Sequence, residues 1–318
     1  MTLKILLTGK NGQVGYHLIE HLSSLGQVVA VDREQLDLAN AVAIREIVRT
    51  VRPDVIVNAA AYTAVDNAEK ESAIARAVNA DAPTLLAEEL NKTRGLLIHY
   101  STDYVFDGEK HTPYTENDPT NPLSAYGRTK LAGENGIRNS GVDHLILRTA
   151  WVYGARGKNF LLTILRMATQ REELRIVNDQ FGAPTSSEAI ASITAEILRR
   201  IIGESNSAPA TANCAPELLG TYHVTARGET TWFHFANAIL NRAKDVQPGT
   251  TWFEAATQGQ PLKTRSVLPI TTADYPTPAR RPAYSVLSNS RLKQSLGIEL
   301  PGWEAQLEEI FRHRGPRE

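Results

Sequence analysis

The 318-residue sequence contains very little sulfur, with one cysteine, Cys214, and two methionines. A single cysteine excludes an intramolecular disulfide and a zinc site built from cysteines. The eight histidines are scattered without the spacing of metal ligands, so we expect them to be structural or solvated. We therefore predict a fold that is held together without disulfides, and no metal site.

Long apolar runs and an excess of one charge are also missing. No stretch of about 18 apolar residues occurs, so no transmembrane helix is predicted, and the run 5–7 is too short for a signal-peptide core. The 34 basic and 35 acidic residues nearly cancel. This balance does not suggest a nucleic-acid partner or a charged tail. We expect a soluble cytoplasmic protein whose partners include neither nucleic acid nor membrane.

The first half of the chain alternates short apolar runs with amphipathic segments. The predicted strands include residues 5–7, 28–31, 55–57, 96–98 and 145–147, and the predicted helices 14–25, 41–51 and 74–90, the last broken near Pro83. Such alternation is typical of a parallel sheet covered by helices on both faces. We therefore predict an α/β protein with a Rossmann-type, doubly wound parallel sheet and a smaller α/β substrate-binding lobe.

The alternation weakens after about Tyr153. A helix at 187–202 and a strand at 221–224 are still predicted, whereas 204–216 is predicted to be a surface loop and 250–282, rich in proline and threonine, to be irregular. A chain of this length can hold about two domains. The predicted boundaries are 1–155 and about 184–228 for the dinucleotide-binding domain, and about 156–183 and 229–318 for the substrate-binding lobe.

A glycine-rich turn, Gly9-Lys-Asn-Gly12-Gln-Val-Gly15, follows the first predicted strand and opens the first predicted helix. Gly9 permits a tight turn, Gly12 allows backbone N–H groups to approach a pyrophosphate, and Gly15 allows the helix to pack close to the sheet. The helix N-terminus adds the positive end of its dipole. This motif predicts a dinucleotide site, and an ordinary strand-to-helix turn is the alternative.

Asp32 ends the second predicted strand, where a ribose-binding carboxylate is expected about 20 residues after the turn. Its charge favours NAD over NADP, because a 2′-phosphate would meet a like charge. Arg33, beside it, is able to neutralise that phosphate. The pair leaves the choice between the two cofactors open, and a turn residue at a strand end remains the alternative for Asp32.

Tyr126 and Lys130 are four residues apart and share one face if their segment is helical. A phenol beside an ammonium loses its proton more readily than its usual pKa of about 10 implies, so the pair predicts a proton relay. Ser101-Thr102-Asp103 follows the fourth predicted strand, at the sheet edge where such folds bind ligands. The alternatives are an exposed surface pair and a strand-end turn.

Seven stretches resemble the extended short-chain dehydrogenase/reductases and, within them, the dTDP-4-dehydrorhamnose reductases. They begin at Thr8-Gly-Lys-Asn-Gly-Gln-Val-Gly15 and continue through Arg52-Pro-Asp-Val-Ile-Val-Asn-Ala-Ala-Ala61, His99-Tyr-Ser-Thr-Asp-Tyr-Val-Phe-Asp107, Tyr126-Gly-Arg-Thr-Lys-Leu-Ala-Gly-Glu134, Arg148-Thr-Ala-Trp-Val-Tyr153, Asn178-Asp-Gln-Phe-Gly-Ala-Pro-Thr185 and Pro276-Thr-Pro-Ala-Arg-Arg-Pro282. The third and sixth stretches are the more specific to these reductases. The resemblance covers nearly the whole chain.

The resemblance implies reduction of the 4-keto group of dTDP-4-dehydro-beta-L-rhamnose to dTDP-beta-L-rhamnose with NADPH, or with NADH. In the implied mechanism Tyr126 protonates the ketone oxygen, Lys130 lowers the pKa of Tyr126 and binds the nicotinamide ribose, and Thr102 polarises the carbonyl. The implied contacts are Gly12, Gln13 and Val14 with the pyrophosphate, Asp32 with the adenosine ribose, Asp37 and Leu38 with the adenine, Ala61, Tyr62 and Thr63 with the cofactor, Thr102, Asp103 and Trp151 with the sugar, and Arg281 with the nucleotide-diphosphate end of the substrate.

One position departs from the pattern of relatives that dimerise through magnesium. They carry a glutamate on the first helix where this chain has His17, although Glu188 remains on a later helix. Because magnesium prefers carboxylate oxygens, a metal-bridged dimer is not expected, and we predict a monomer or a weak homodimer.

Two other functions remain as alternatives. One is an epimerase or dehydratase of the same superfamily, although Ser101-Thr102-Asp103 lacks the acidic pair that usually follows the threonine in the dehydratases. The other is a non-catalytic regulatory subunit of methionine adenosyltransferase, against which the intact Thr102, Tyr126 and Lys130 argue.

Overall fold

The computed structural model describes residues 2–203 and 215–313. In chain order its strands are β1 Leu3–Thr8, β2 Gly26–Val31, β3 Val55–Asn58, β4 Leu96–Thr102, β5 Asp143–Thr149, β6 Val152–Tyr153, β7 Glu173–Val177, β8 Phe181–Gly182, β9 Thr185–Ser186, β10 Gly220–His223, β11 Thr230–Thr231 and β12 Ser266–Ile270. Its α-helices are α1 Gln13–Ser23, α2 Ala41–Val51, α3 Val65–Ala68, α4 Ser72–Arg76, α5 Ala82–Asn91, α6 Ala125–Asn139, α7 Phe160–Gln170, α8 Ser187–Ile202, α9 Trp232–Ala243, α10 Thr251–Thr257, α11 Ser290–Leu296 and α12 Trp303–Arg312.

The central sheet has six parallel strands in the order β10-β5-β4-β3-β1-β2. The strand order reverses between β1 and β3, because the chain places β2 on one side of β1 and then β3 on the other. Ligands of open α/β sheets bind outside the carboxyl ends of the strands at such a switch point. The predicted fold class, a doubly wound parallel sheet, is confirmed.

Side chains of one strand alternate between two hydrophobic cores on opposite faces of the sheet. On β1, Ile5 and Leu7 pack with α1 and α8, whereas Leu6 packs with α2 and α5. This follows from the two-residue period of a strand, and it explains why a strand buried on both faces is apolar throughout.

A third core lies in the C-terminal half, between α7, α9 and α12. The segment 250–282, predicted to be irregular, also forms α10 and strand β12, which runs parallel to β7, so that prediction is wrong for those residues. Residues of α11 pack with the first core rather than the third. The division into two domains stays a prediction.

The helix predicted at 74–90 is broken as expected, but by a π-helical turn at Ala77–Asp81 that precedes Pro83. Pro83 has no N–H to donate to the carbonyl of Asn79, which lies four residues earlier. That carbonyl instead faces α6, where a Cβ added to Gly133 would lie 2.2 Å from Asn79 O. The absence of a Cβ at Gly133 therefore allows α6 to approach this turn closely.

The described residues contain no helix that is both long and apolar enough to cross a membrane. The predicted loop at 204–216 lies outside the described residues except for its last two positions, and Cys214 lies outside them as well.

Candidate active site

The glycine-rich turn joins the ends of the first three strands. Gly9 has φ +76°, and the N–H groups of Gly9 and Lys10 donate to Val31 O at the end of β2. A Cβ on Gly9 would lie 2.8 Å from Ala60 N, and one on Gly15 would lie 2.1 Å from Gly9 O. Gly15 thus packs against the turn itself rather than against the body of the sheet. No side chain caps the N-terminus of α1, whose N–H groups are directed to this edge.

Asp32 forms the turn that follows β2. Its Oδ1 accepts from the N–H groups of Glu34 and Gln35, both at 3.1 Å, and its Oδ2 pairs with Lys10 Nζ at 3.3 Å. The backbone hydrogen bond from Gln35 lowers the pKa of Asp32 most; burial opposes it, and the bond and charge of Lys10 add to the lowering. An ionised carboxylate therefore stands beside the glycine turn.

The residues predicted at the adenosine end of the cofactor occupy different environments. Arg33 and Asp37 are exposed, and Asp37 Oδ1 accepts from Ala39 N at 3.0 Å. Leu38 is buried in the core between the sheet and α2. Its side chain is therefore not open to a ligand as the chain stands.

Asn79, which the sequence did not single out, holds the segment after β3 that contains Ala61, Tyr62 and Thr63. Its Oδ1 accepts from Tyr62 N at 2.8 Å, and its Nδ2 donates to Tyr62 O at 3.0 Å and to Thr129 Oγ1 on α6 at 3.3 Å. The Tyr62 hydroxyl donates to Glu71. The segment after β3 is thus tied to the helix that bears Tyr126.

Helix α6 carries both Tyr126 and Lys130, as their spacing predicted. Ser124 caps its N-terminus by accepting from Gly127 N at 3.2 Å, and Glu69 Oε1 accepts from Ala125 N at 2.7 Å. A carboxylate at this position also complements the helix dipole. Tyr126 is therefore held on the first turn of a capped helix.

Tyr126 meets Thr102 and Asp103 at the end of β4. Burial raises the pKa of the Tyr126 phenol to about 12, a hydrogen bond with Thr102 opposes this, and the charge of Asp103 adds to it. Thr102 Oγ1 donates to Asp103 Oδ1 at 2.9 Å. Burial also raises the pKa of Asp103 to about 6, against hydrogen bonds from Ser285 and Thr102.

The expectation that Lys130 lowers the pKa of Tyr126 is not met in this structure. The Lys130 ammonium points instead to Tyr100 O at 2.6 Å and to His99 Nε2 at 3.1 Å. Burial lowers the pKa of Lys130 to about 8, and the charge of Glu134 partly offsets this. Desolvation is therefore the largest cause of the pKa shift in each of the two groups.

A buried ion pair fastens α6 to the sheet. Glu134 accepts from Arg148 Nε and Nη2 on β5 at 2.9 and 2.7 Å, and from Arg138 Nη2 at 2.7 Å. Burial acts to raise the pKa of Glu134, but the bonds and charge of Arg148 hold it below its usual value. The sequence contained no signal for this pair.

Trp151 lies at the junction between the sheet and the C-terminal half. Its φ of +48° is unusual for a bulky residue, and its ring stacks on Trp232 with centroids 3.4 Å apart and planes 5° apart. Gly182 makes room for it, since a Cβ there would lie 2.3 Å from the indole. Trp232, not noticed in the sequence, donates from Nε1 to Gln180 Oε1 at 3.2 Å.

Arg281 reaches from the C-terminal half to the helix that follows β3. Its Nη2 lies 2.9 Å from Asp66 Oδ2, and it also bonds to Tyr104. The ring of Tyr104 packs edge-on against Tyr126 at 5.6 Å. Tyr104 thus contacts both Arg281 and Tyr126. The role of Arg281 at the nucleotide end of a substrate stays a prediction.

Glu188 on α8 is paired with two histidines of α1. His17 Nδ1 contacts Oε2, and His21 Nε2 lies 2.7 Å from Oε1. The hydrogen bond from His17 is the largest cause that lowers the pKa of Glu188 to about 2. Burial opposes it, and the hydrogen bond from His21 adds to the lowering. Both carboxylate oxygens therefore already have partners.

Comparison with known proteins assigns the family. A family model described as the RmlD substrate binding domain matches residues 3–315. A dTDP-4-dehydrorhamnose reductase of Burkholderia thailandensis is 49% identical over 301 residues, which cover 95% of each protein. The chain belongs to the dTDP-4-dehydrorhamnose reductase family. Another member, from Escherichia coli K12, is 41% identical over 317 residues, or 97% of this chain and 98% of the relative.

Solved structures of this reductase family have the same fold. The dTDP-4-dehydrorhamnose reductase of Clostridium acetobutylicum matches with a TM-score of 0.84 at 34% identity, over 98% of this chain and 99% of its own. That of Bacillus anthracis, a complex with NADP, matches with the same TM-score at 32% identity and the same coverage. A UDP-glucose 4-epimerase of Thermus thermophilus, at 19% identity and a TM-score of 0.71, shares the fold alone.

Proposed function

We propose that this protein reduces the 4-keto group of dTDP-4-dehydro-beta-L-rhamnose to give dTDP-beta-L-rhamnose, the last step of dTDP-L-rhamnose synthesis. The observation that carries the proposal is the meeting of Tyr126 with Thr102 at the carboxyl end of β4, with Lys130 one helical turn further along α6. The family supports the same reaction, since the relatives cited above are reductases of this kind.

The glycine turn suits a dinucleotide cofactor, because its three glycines let the turn fold tightly on its own backbone and against Ala60, beside an uncapped helix N-terminus. Gly9, Gly12, Gln13, Val14 and Gly15 would hold the pyrophosphate. When bound, a nicotinamide supplies the hydride for the ketone carbon. We propose NADPH as the cofactor and NADH as a second one, in accord with the NADP complex of the Bacillus anthracis relative.

Tyr126 is the proposed proton donor. A phenol whose pKa is raised to about 12 remains protonated at neutral pH and is able to donate to the developing alkoxide oxygen. Thr102 would hydrogen-bond the same oxygen, while Lys130 would bind the nicotinamide ribose. Asp103, Trp151 and Arg281 are proposed to contact the substrate, and Ala61, Tyr62 and Thr63 the cofactor.

The proposal is tested by incubating the protein with the synthetic 4-keto sugar nucleotide and either NADPH or NADH, with identification of the product by NMR. We expect one equivalent of reduced cofactor to be consumed for each 4-hydroxy product formed. Conversion of the sugar nucleotide without net oxidation of the cofactor would indicate an epimerase or a dehydratase. Absence of turnover, together with co-purification of a methionine adenosyltransferase, would indicate the regulatory subunit.

The cofactor preference has its own test. Asp32 and Arg33 offer opposite charges at the adenosine ribose, and Arg33 is exposed. The variant Arg33→Ala should raise the KM for NADPH more than that for NADH, because only NADPH has the 2′-phosphate. Equal changes in the two KM values would show that Arg33 does not contact this phosphate. We further propose a cytoplasmic location and a monomer or weak homodimer.

A further inference from the structure

A row of four buried polar side chains crosses the switch point of the sheet and ends at Lys130. Thr8 Oγ1 on β1 lies 2.7 Å from Asn58 Oδ1 on β3. Asn58 Nδ2 lies 3.0 Å from His99 Nδ1 on β4, and His99 Nε2 lies 3.1 Å from Lys130 Nζ. All four residues are at most 2% exposed. The proposed function gives a role to Lys130 but none to the other three.

The donors and acceptors of this row depend on one another. An ammonium has three N–H donors and no acceptor, and Tyr100 O takes one of them at 2.6 Å. A second reaches His99 Nε2 only if that nitrogen carries no proton, which places the proton of the neutral imidazole on Nδ1. This tautomer requires the side-chain amide of Asn58 to be rotated by 180°, which exchanges the positions of its oxygen and nitrogen. The amide oxygen then accepts from Nδ1.

We propose that His99 is a positioning residue for Lys130, with Nε2 accepting a hydrogen bond from the ammonium and Nδ1 donating to the amide of Asn58. Together with Tyr100 O, this acceptor leaves the third N–H of Lys130 for the cofactor. The inference rests on the proposed reductase function. Because burial and the neighbouring Lys130 hold the pKa of His99 well below its usual value, the imidazole stays neutral and remains an acceptor.

Two other titratable groups, Glu134 and Tyr126, lie near this row on α6. Glu134, one turn along α6, favours the charged form of Lys130 and is itself paired with Arg148 of β5. Tyr126 lies on the same helix as Lys130. None of these groups offers Lys130 Nζ a hydrogen bond in the described residues, so the acceptors at that atom are Tyr100 O and His99 Nε2.

Two substitutions of His99 test the two nitrogens of its imidazole separately. His99→Gln keeps an acceptor near the position of Nε2, whereas His99→Asn keeps the contact with Asn58 but loses the acceptor for Lys130. We expect His99→Asn to lower kcat and to weaken NADPH binding, measured by fluorescence titration, each by about tenfold, the scale of one charge-assisted hydrogen bond. The basic limb of the kcat–pH profile should also move to lower pH. His99→Gln should remain within about threefold of the wild type on each measure.

His223→Asn is the matched control. His223 is also a fully buried histidine on a strand, but its Nδ1 faces Tyr114 O and its ring does not contact Lys130. This variant should lose stability without moving the basic limb. Wild-type behaviour of folded His99→Asn, or equal losses in His99→Asn and His99→Gln, would overturn the proposal. Failure of the wild type to reduce the ketone would instead refute the proposed function, while the titration of NADPH would still test His99.

A measurement on the unmodified protein covers the case in which His99→Asn does not fold. In ¹⁵N NMR of histidine-labelled protein near neutral pH, assigned by the signal that disappears in His99→Gln, His99 should be the neutral tautomer protonated on Nδ1. The tautomer protonated on Nε2 would overturn the proposal, because that nitrogen would then have no lone pair for the ammonium.

Discussion

At the scale of single residues, the functional groups of the site are shaped chiefly by loss of water. Asp103 and Lys130 are buried and Tyr126 is partly buried, and loss of water is the largest cause of the pKa shift in all three. Each shift favours the uncharged form, as desolvation requires. Tyr126 and Asp103 thus bind their protons more tightly than usual, and Lys130 binds its proton less tightly.

Removal of the Tyr126 hydroxyl tests its role as the acid. Tyr126→Phe should lower kcat by about 10²-fold or more, while the Kd for NADPH changes little, because the ring that packs against Tyr104 is retained. The measurement is turnover of the 4-keto sugar nucleotide alongside a binding titration. Near wild-type turnover in this variant would refute the assignment of Tyr126 as the proton donor.

Asp103 should make the free energy of unfolding depend on pH. Its pKa is raised from an ordinary value near 3.8 to about 6, so the folded protein binds its proton more tightly than the unfolded chain does. This contribution is complete below the unfolded pKa and is lost as the pH rises through the folded one. A shift of this size corresponds to about 3 kcal/mol.

Asp103→Asn should therefore raise the melting temperature relative to the wild type at neutral pH, and the difference should shrink as the pH falls to about 4. Thermal unfolding at several pH values measures this, with Asp143→Asn, at an exposed position, as the control. Turnover should fall, since Thr102 would lose its charged acceptor. A gain in melting temperature that stays constant with pH would contradict the argument.

At the scale of elements, α6 is fastened to its neighbours on three sides. Glu69 holds its first turn, the π-helical turn at Ala77–Asp81 packs against Gly133, and Glu134 pairs with Arg148 of β5. The proposed positions of Tyr126 and Lys130 depend on these contacts rather than on the helix alone.

Breaking the buried ion pair of Glu134 should therefore lower the free energy of unfolding more than breaking a surface ion pair. Glu134→Gln leaves the Arg148 guanidinium buried without its carboxylate, and we expect a loss of about 3–5 kcal/mol in the free energy of unfolding. Glu196→Gln removes a carboxylate from the exposed pairs with Arg199 and Arg200 and should cost at most about 1 kcal/mol. Denaturant unfolding of both variants measures the difference, and similar losses in the two would show that burial does not matter here.

At the scale of the whole molecule, the site is assembled from both halves of the chain. The strands of the first half supply the glycine turn, Thr102 and, through α6, Tyr126. The C-terminal half supplies Trp232 behind Trp151, and Arg281 beside Tyr104. Segments more than 200 residues apart in sequence therefore meet at one sheet edge, as the pairing of Arg281 with Asp66 at a separation of 215 residues illustrates.

Magnesium should not control the assembly of the molecule. Both oxygens of Glu188 are engaged by His17 and His21, and imidazoles are poor partners for a cation that prefers oxygen ligands. Light scattering and turnover should be unchanged by EDTA and by the later addition of magnesium. A change in mass, or a loss of rate that magnesium restores, would contradict this and would implicate Glu188 as a ligand.

The sequence by itself determined much of the local structure of the first half and the residue types at the proposed site. The apolar runs of β1 and β3, the glycine turn and the four-residue spacing of Tyr126 and Lys130 each depend on neighbours within a few positions, so local sterics and periodicity are enough to predict them. The tertiary structure alone decided that Lys130 meets His99, that Trp232 stacks on Trp151, and that the partly buried Tyr126 has a raised pKa. These contacts and this desolvation arise between residues distant along the chain, and only the packed fold brings them together.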